Sequence, residues 1–176
     1  VPDNFEFSVK CNRVITHEHS LRPDPEVFAE VDYMLKICKI LRANCIIFQT
    51  PSSLNVDFKI LDEAKPVFTA FQSRGITPVL EVRNVIEQQT ILKMKEMGIV
   101  HSVDLTRSIP EFTGELLYTR LFGLNRYART GFTEQEYNSI LEGLNNTKPK
   151  KAYLAFHGIQ MYNDAQNFKK LLSDIR

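Results

Sequence analysis

The chain has 176 residues, 43% of them apolar and 10% aromatic, the size and composition of one globular domain with a substantial core. Lys and Arg number 22 against 21 Asp and Glu, and the resulting net charge of +1 excludes a bulk field that would gather nucleic acid or an anionic membrane nonspecifically. Any preference for anions must therefore be local.

The first predicted element is a strand over residues 5–10, "FEFSVK", where apolar and polar residues alternate. A loop rich in His and Arg follows, and Asp24-Pro25 reads as an N-cap and first helical residue. The helix it opens runs to about Arg42, with Val27, Phe28, Val31, Met34, Leu35, Cys38 and Leu41 at helical spacing. A short apolar strand, "CIIFQT" (45–50), leads to a second helical region over roughly 56–73. Pro66 lies inside that region and predicts a kink or two pieces. Gly75 ends it and returns the chain to a strand, "TPVLEVR" (77–83).

"EQQTILKMKEM" is the third helix, closed by Gly98, and "IVHSVDL" (99–105) the fourth strand. "ELLYTRLFG" (115–123) and "KKAYLAFHG" (150–158) are the last two strands. Between them Thr133 and Glu136 form a capping-box pattern ahead of a helix to about Leu144, and a final helix spans about Asn163 to Asp174. Strands alternating with helices across short turns predict parallel βα units. No glycine-rich phosphate loop follows any strand, which disfavours a dinucleotide-binding sheet and leaves an α/β, parallel TIM-barrel-like fold as the stronger reading. Six strands are present where a closed barrel needs eight, so two are expected to be missing. Residues 1–176 are then a single, partial β/α barrel domain.

Cys11, Cys38 and Cys45 are odd in number and lack the paired spacing of a zinc ribbon or a redox pair. Three reduced, buried thiols are expected. No run approaches about 18 apolar residues, and the start "VPDNFEFSVK" is not a basic then apolar leader, so a soluble cytoplasmic protein is expected. The start also lacks Met and enters an alternating stretch almost at once. An upstream piece of a longer polypeptide is expected to precede it.

Read with period two, each strand carries a polar residue at its C-terminal end: Lys10, Gln49, Glu81 with Arg83, Asp104, Arg120 and His157. In α/β folds that end binds ligands, because strand ends are rigid platforms and the following loops vary. Lys10, Arg83 and Arg120 supply cationic donors suited to a carboxylate or phosphate. Glu81, Asp104 and His157 are the candidate acid, base or otherwise catalytic groups, with Gln49 and His17 contacting the substrate. The bland alternatives are that each charge marks the passage to a solvated loop, or that Glu81 forms a structural ion pair with Arg83 or Arg120. The spacing of Glu81, Asp104 and His157 is unlike a compact metal motif, so no metal ligands are assigned.

His17 and His19, in "ITHEHS", are read as one pocket-lining or hydrogen-bonding residue and one solvated neighbour. His101 falls off the polar face of its strand and is expected to be packed or at the surface. "NRYARTGF" (125–132) is basic with aromatics and is expected to be a loop covering the pocket.

The succession "FEFSVKCNRVITH", "IIFQTPSSL", "LEVRN", "VDLT", "LLYTRLFG" and "AYLAFHGIQMYNDA" resembles the domain of unknown function seventy-two family. The resemblance implies a TIM-barrel-like fold without an established general activity. Family motif positions carry over to Lys10, Thr16, His17, Gln49, Pro51, Glu81, Arg83, Asp104, Arg120, Gly123 and Ala165. Phe122 stands where the family commonly has His, and His157 where it favours Asn. The resemblance begins at the family's third strand. The upstream Gly-Thr-Ser-Gly-Trp-like strand and a second strand with an acidic residue do not occur here, in keeping with the absence of Trp.

The leading expectation is an enzyme acting on a small anionic or phosphorylated compound at the mouth of the barrel. Two alternatives stay open: a noncatalytic module that binds a metabolite in the same pocket, and a nucleic-acid protein that processes a phosphodiester. The expected partner is a small anion, not a membrane, and nucleic acid is disfavoured. The residues specify no cofactor and no oligomeric state.

Overall fold

The computed structural model describes residues 1–124 and 131–174. Residues 125–130, most of the basic segment expected to cover a pocket, lie outside the described residues. The contacts divide the chain into two compact units, Val1–His101 and Ser102–Arg176.

The first unit is a four-stranded parallel sheet in sequential order, β1 (Val9–Lys10), β2 (Cys45–Gln49), β3 (Thr77–Glu81) and β4 (Val100–His101). Helices α1 (Pro25–Leu41), α2 (Phe58–Gln72) and α3 (Gln88–Glu96) connect the strands. Every residue of β2 is buried, which explains its unbroken apolar run between two neighbouring strands. Phe48 projects toward the helices and meets Phe68 and Phe71 edge-on, with ring centroids 5.0 and 5.6 Å away. Asp24 caps α1 by accepting from the Val27 N–H, and Pro25 occupies the first helical position as expected.

Pro66 does not divide α2 into two pieces; the helix is continuous through it. Pro66 is exposed, so water can serve the carbonyl one turn back, while its neighbours Val67, Phe68 and Phe71 are buried. That burial outweighs the cost of about 3 kcal/mol for an interior proline. Pro78 is tolerated in β3 for another reason. The Thr77 N–H bonds the Asn44 carbonyl on the β2 side, so the next nitrogen faces the β4 side, where pairing begins only at Val79 with Val100.

Two expected strands are shorter than their patterns. Of residues 5–10 only Val9 and Lys10 join the sheet, while Phe5 and Phe7 pair with each other at 4.8 Å. Of residues 99–105 only Val100 and His101 do so.

The second unit pairs β5 (Leu116–Leu121) with β6 (Lys151–Phe156) in parallel, joined by α4 (Glu134–Thr147) and followed by α5 (Met161–Asp174). Leu105, Leu117, Leu121, Ile140 and Phe168 form its buried centre. Beside β5, the Thr119 hydroxyl donates to the Val103 carbonyl at 2.7 Å and accepts from the Leu105 N–H at 3.3 Å. One side chain thus satisfies the backbone where residues 103–105 leave strand geometry.

The capping box at the start of α4 is present: the Thr133 side chain accepts from the Glu136 N–H, and the Glu136 carboxylate accepts from the Thr133 N–H at 2.7 Å. Glu136 also accepts from the Leu124 N–H at 2.5 Å. Burial pushes the Glu136 carboxyl up, but the Thr133 and Leu124 N–H groups, the Thr133 hydroxyl and the Arg107 charge outweigh it and hold it below the ordinary 4.5. Tyr137 stacks on Phe168 with centroids 5.9 Å apart and donates to the buried Asp164 carboxylate at 3.1 Å. Burial and that carboxylate push the Tyr137 phenol up to about 12.

Replacing Pro66 by Ala restores an N–H to an exposed helix interior and should raise stability by about 1–2 kcal/mol, read as a higher urea midpoint. Glu136 has a folded-state pKa below its unfolded one, so its stabilisation is complete above the ordinary 4.5 and lost as pH falls through the folded value. Glu136→Gln should therefore flatten that acidic limb in urea titrations between pH 3 and about 6.

Candidate active site at the strand ends

Parallel pairing places equivalent residues of adjacent strands on the same face. Lys10 is opposite Ile47, Ile47 opposite Val79, and Gln49 opposite Glu81, so Lys10, Gln49 and Glu81 share the face away from the helices. Gln49 and Glu81 are 3% and 9% exposed, and the Gln49 amide donates to Glu81 Oε1 at 2.7 Å. The Thr50 N–H bonds the Glu81 carbonyl at 3.1 Å, holding the two strand ends in register past the last sheet residue. Beyond β3, Asn84 donates to the carbonyls of Ser52 and Leu54 at 2.8 and 3.2 Å. That tie anchors the segment carrying the exposed Arg83.

His17 reaches this end of the sheet from a single π-helical turn, Val14–Glu18. The Thr16 hydroxyl donates to the Asn12 carbonyl at 2.9 Å and lies 2.8 Å from His17 Nδ1. With its one proton committed to Asn12, Thr16 accepts from Nδ1–H, an assignment that leaves His17 Nε2 as the basic nitrogen. Burial lowers the His17 pKa, and the charges of Arg13, Lys10 and Arg83 lower it further. Both effects favour the neutral imidazole over the charged one. Arg13 escaped the reading by strand ends because it precedes a π turn. That turn brings the ring four residues on back toward it.

The second unit has its own strand-end cluster. Arg120 and Phe122 share a face with His157, in a register that pairs Arg120 with Ala155 and continues through the His157 N–H to the Leu121 carbonyl at 2.8 Å. The Arg120 guanidinium carbon is 4.8 Å from the centre of the Phe122 ring, and Arg120 Nη2 is 3.4 Å from His157 Nδ1. The His157 and Phe122 rings meet edge-on at 4.8 Å.

Asp104 lies past the end of β4, before a turn, not on a strand as expected. Its Oδ1 accepts from the N–H and hydroxyl of Thr106 at 3.0 and 2.7 Å, and its Oδ2 from the Phe122 N–H at 2.9 Å. Arg107 stands 3.6 Å from Oδ2 and donates to the Gly123 carbonyl at 2.7 Å. These bonds fix the loop after β5.

His19 is tied to the start of α1, its Nδ1 2.5 Å from Asp24 and its Nε2 3.3 Å from Glu26. His101 is packed, and burial lowers its pKa. Among the described residues, no group of three or more His, Cys, Asp or Glu side chains is arranged to hold a metal ion. No described helix is long and apolar enough to cross a membrane.

Asp104→Asn presents an amide where backbone and hydroxyl donors converge, and should cost about 1–3 kcal/mol in urea denaturation. A variant as stable as the parent would show that the turn does not depend on the carboxylate.

The profile of the family described as protein of unknown function DUF72 matches residues 1–175. A comparison with curated proteins finds no match. Among solved structures, a DUF72 family protein from Enterococcus faecalis shares 16% identity over 98% of this chain and 80% of its own, with a TM-score of 0.73. One from Thermotoga maritima shares 18% identity over 98% of this chain and 75% of its own, at 0.69. An AP endonuclease of family 2 from Brucella melitensis shares 11% identity over 88% of this chain and 71% of its own, at 0.55. At such identities the likeness is one of fold, and the all-parallel strands match a partial TIM-barrel-like architecture. From the match over nearly its whole length, the chain belongs to the protein of unknown function DUF72 family.

Proposed function

We propose that the protein is an enzyme that binds a small anionic or phosphorylated compound at the C-terminal ends of the first sheet. The observation that carries this reading is the convergence of the Lys10, Arg13 and Arg83 charges on His17, at the sheet end where Gln49 holds Glu81. Cations gathered around a neutral imidazole repel one another, and a carboxylate or phosphate relieves that repulsion. Lys10 and Arg83 hold the anion, and the basic Nε2 of His17 gains a proton as it arrives. Glu81 acts as general acid or base, with Gln49 orienting its carboxylate. The second unit carries its own cluster, in which Arg120 and His157 are candidates for binding an anion. Asp104 remains a candidate there through the loop it shapes.

A phosphodiester is a second anionic chemistry these cations suit, and the likeness to the Brucella melitensis endonuclease brings it forward. The net charge of +1 provides no long-range attraction for a polyanion, and this favours the small ligand.

Inorganic phosphate should raise the His17 pKa, followed by NMR titration of the imidazole, because a bound anion stabilises the protonated ring. The upward shift should vanish in Arg83→Ala, with phosphate affinity falling about tenfold or more. Glu81→Gln should bind phosphorylated and carboxylated compounds as the parent does while losing turnover. Binding without turnover of any compound in such a panel would instead make the protein a metabolite-binding module.

A further inference from the structure

A cavity of about 670 Å³ opens at the opposite end of the first sheet, between the C-terminal ends of α1 and α2 and the starts of β2 and β3. Its floor is apolar, with buried Leu35, Cys38 and Ile76. Its rim carries Lys36, Lys39 and Arg42, all exposed, with Asp32 and Arg74 completing the charged lining. The size is that of a small-molecule site.

Cations at the end of a helix often serve its last carbonyls, but α1 meets that need by other means. The Cys38 carbonyl takes the Ala43 N–H at 2.9 Å, and the Lys39 carbonyl the Arg42 N–H at 3.2 Å. Arg74 is also committed, donating to the Ala70 carbonyl at 3.0 Å. Among the described residues, the side chains of Lys36, Lys39 and Arg42 make no ion pair, although Asp32 lines the same cavity. An apolar floor beneath a cationic rim suits a ligand with an apolar body and one anionic head.

We infer that this cavity is a second binding site, for an alkyl or aryl anion such as a medium-chain carboxylate or an aromatic sulfonate. The body lies on Leu35, Cys38 and Ile76, and Lys36, Lys39 and Arg42 surround the head. The site is independent of the strand-end cluster, which lies at the other end of the same strands.

Arg42 makes the inference testable without loss of the fold. It holds the left-handed conformation after α1, φ 51° and ψ 38°, where glycine is at ease. Arg42→Gly should therefore fold at least as stably as the parent while losing one rim charge. The probe is 8-anilinonaphthalene-1-sulfonate, followed by fluorescence, with decanoate and inorganic phosphate as competitors. The parent should bind the probe at one site, decanoate should displace it and phosphate should not. Arg42→Gly and Lys39→Glu should each weaken the probe about tenfold, and Arg83→Ala should leave it unchanged. Unaltered affinity in both rim variants would overturn the site. Displacement by phosphate as effective as by decanoate would overturn the ligand class, and loss of probe binding in Arg83→Ala would move it to the other end of the sheet.

Discussion

A carboxylate at the end of a buried strand needs a donor within the protein, because burial without one costs several kcal/mol on the order of an isolated charge. Gln49 meets that need for Glu81, and it can do so because parallel register sets the two side chains opposite each other. A slip of one residue would turn Gln49 toward Phe68 and Phe71 and bring Phe48 to the polar face. The same constraint that packs the aromatic core therefore fixes the polar pair. The positions of Lys10 and Arg83 follow from it, since one shares the register and the other extends the strand that carries Glu81.

The second unit uses carboxylates in another way. Asp104 receives Phe122, Glu136 receives Leu124 and Thr133, and Asp164 receives Phe132, all through backbone N–H groups. Each acid is an acceptor for chain that leaves or re-enters regular structure. Loop backbone near a core must find partners for its N–H groups, and side-chain carboxylates supply them where no strand is adjacent. Arg120, Phe122 and His157 then rest on a strand end whose exit is held by Asp104 and Arg107.

Much of this was legible in the sequence wherever one residue's chemistry acts locally. Asp24 with Pro25, and Thr133 with Glu136, marked helix starts because capping needs only neighbours in the chain. Period two found the strand-end polar residues for the same reason. What escaped depended on distant partners. Pro66 reads as a breaker until the burial of Val67, Phe68 and Phe71 is known. "IVHSVDL" reads as a full strand, yet Thr119, far along the chain, satisfies the backbone of its second half through its hydroxyl. Arg13 lay hidden because neither period two nor the ordinary helical period describes a π turn. Asp104 reads as a strand end, whereas its place ahead of a turn, its three hydrogen-bond donors and the nearby Arg107 charge depend on partners the pattern does not show.

The sheet of the first unit runs β1, β2, β3, β4 without permutation, so every strand lies beside its immediate predecessor in the chain. The segment that must close to seat each new strand is about 20–40 residues, and the entropy of closure grows only slowly with length. Contacts between strands thus stay near in sequence for an all-parallel sheet, a topology otherwise slow to assemble because of its long crossovers. Such a unit can grow by accretion as it leaves the ribosome: β2 and β3 close around Phe48 before the residues of β5 exist. Synthesis order and packing order then coincide, and no strand in this sheet has to wait for a later one to be inserted between it and its neighbour.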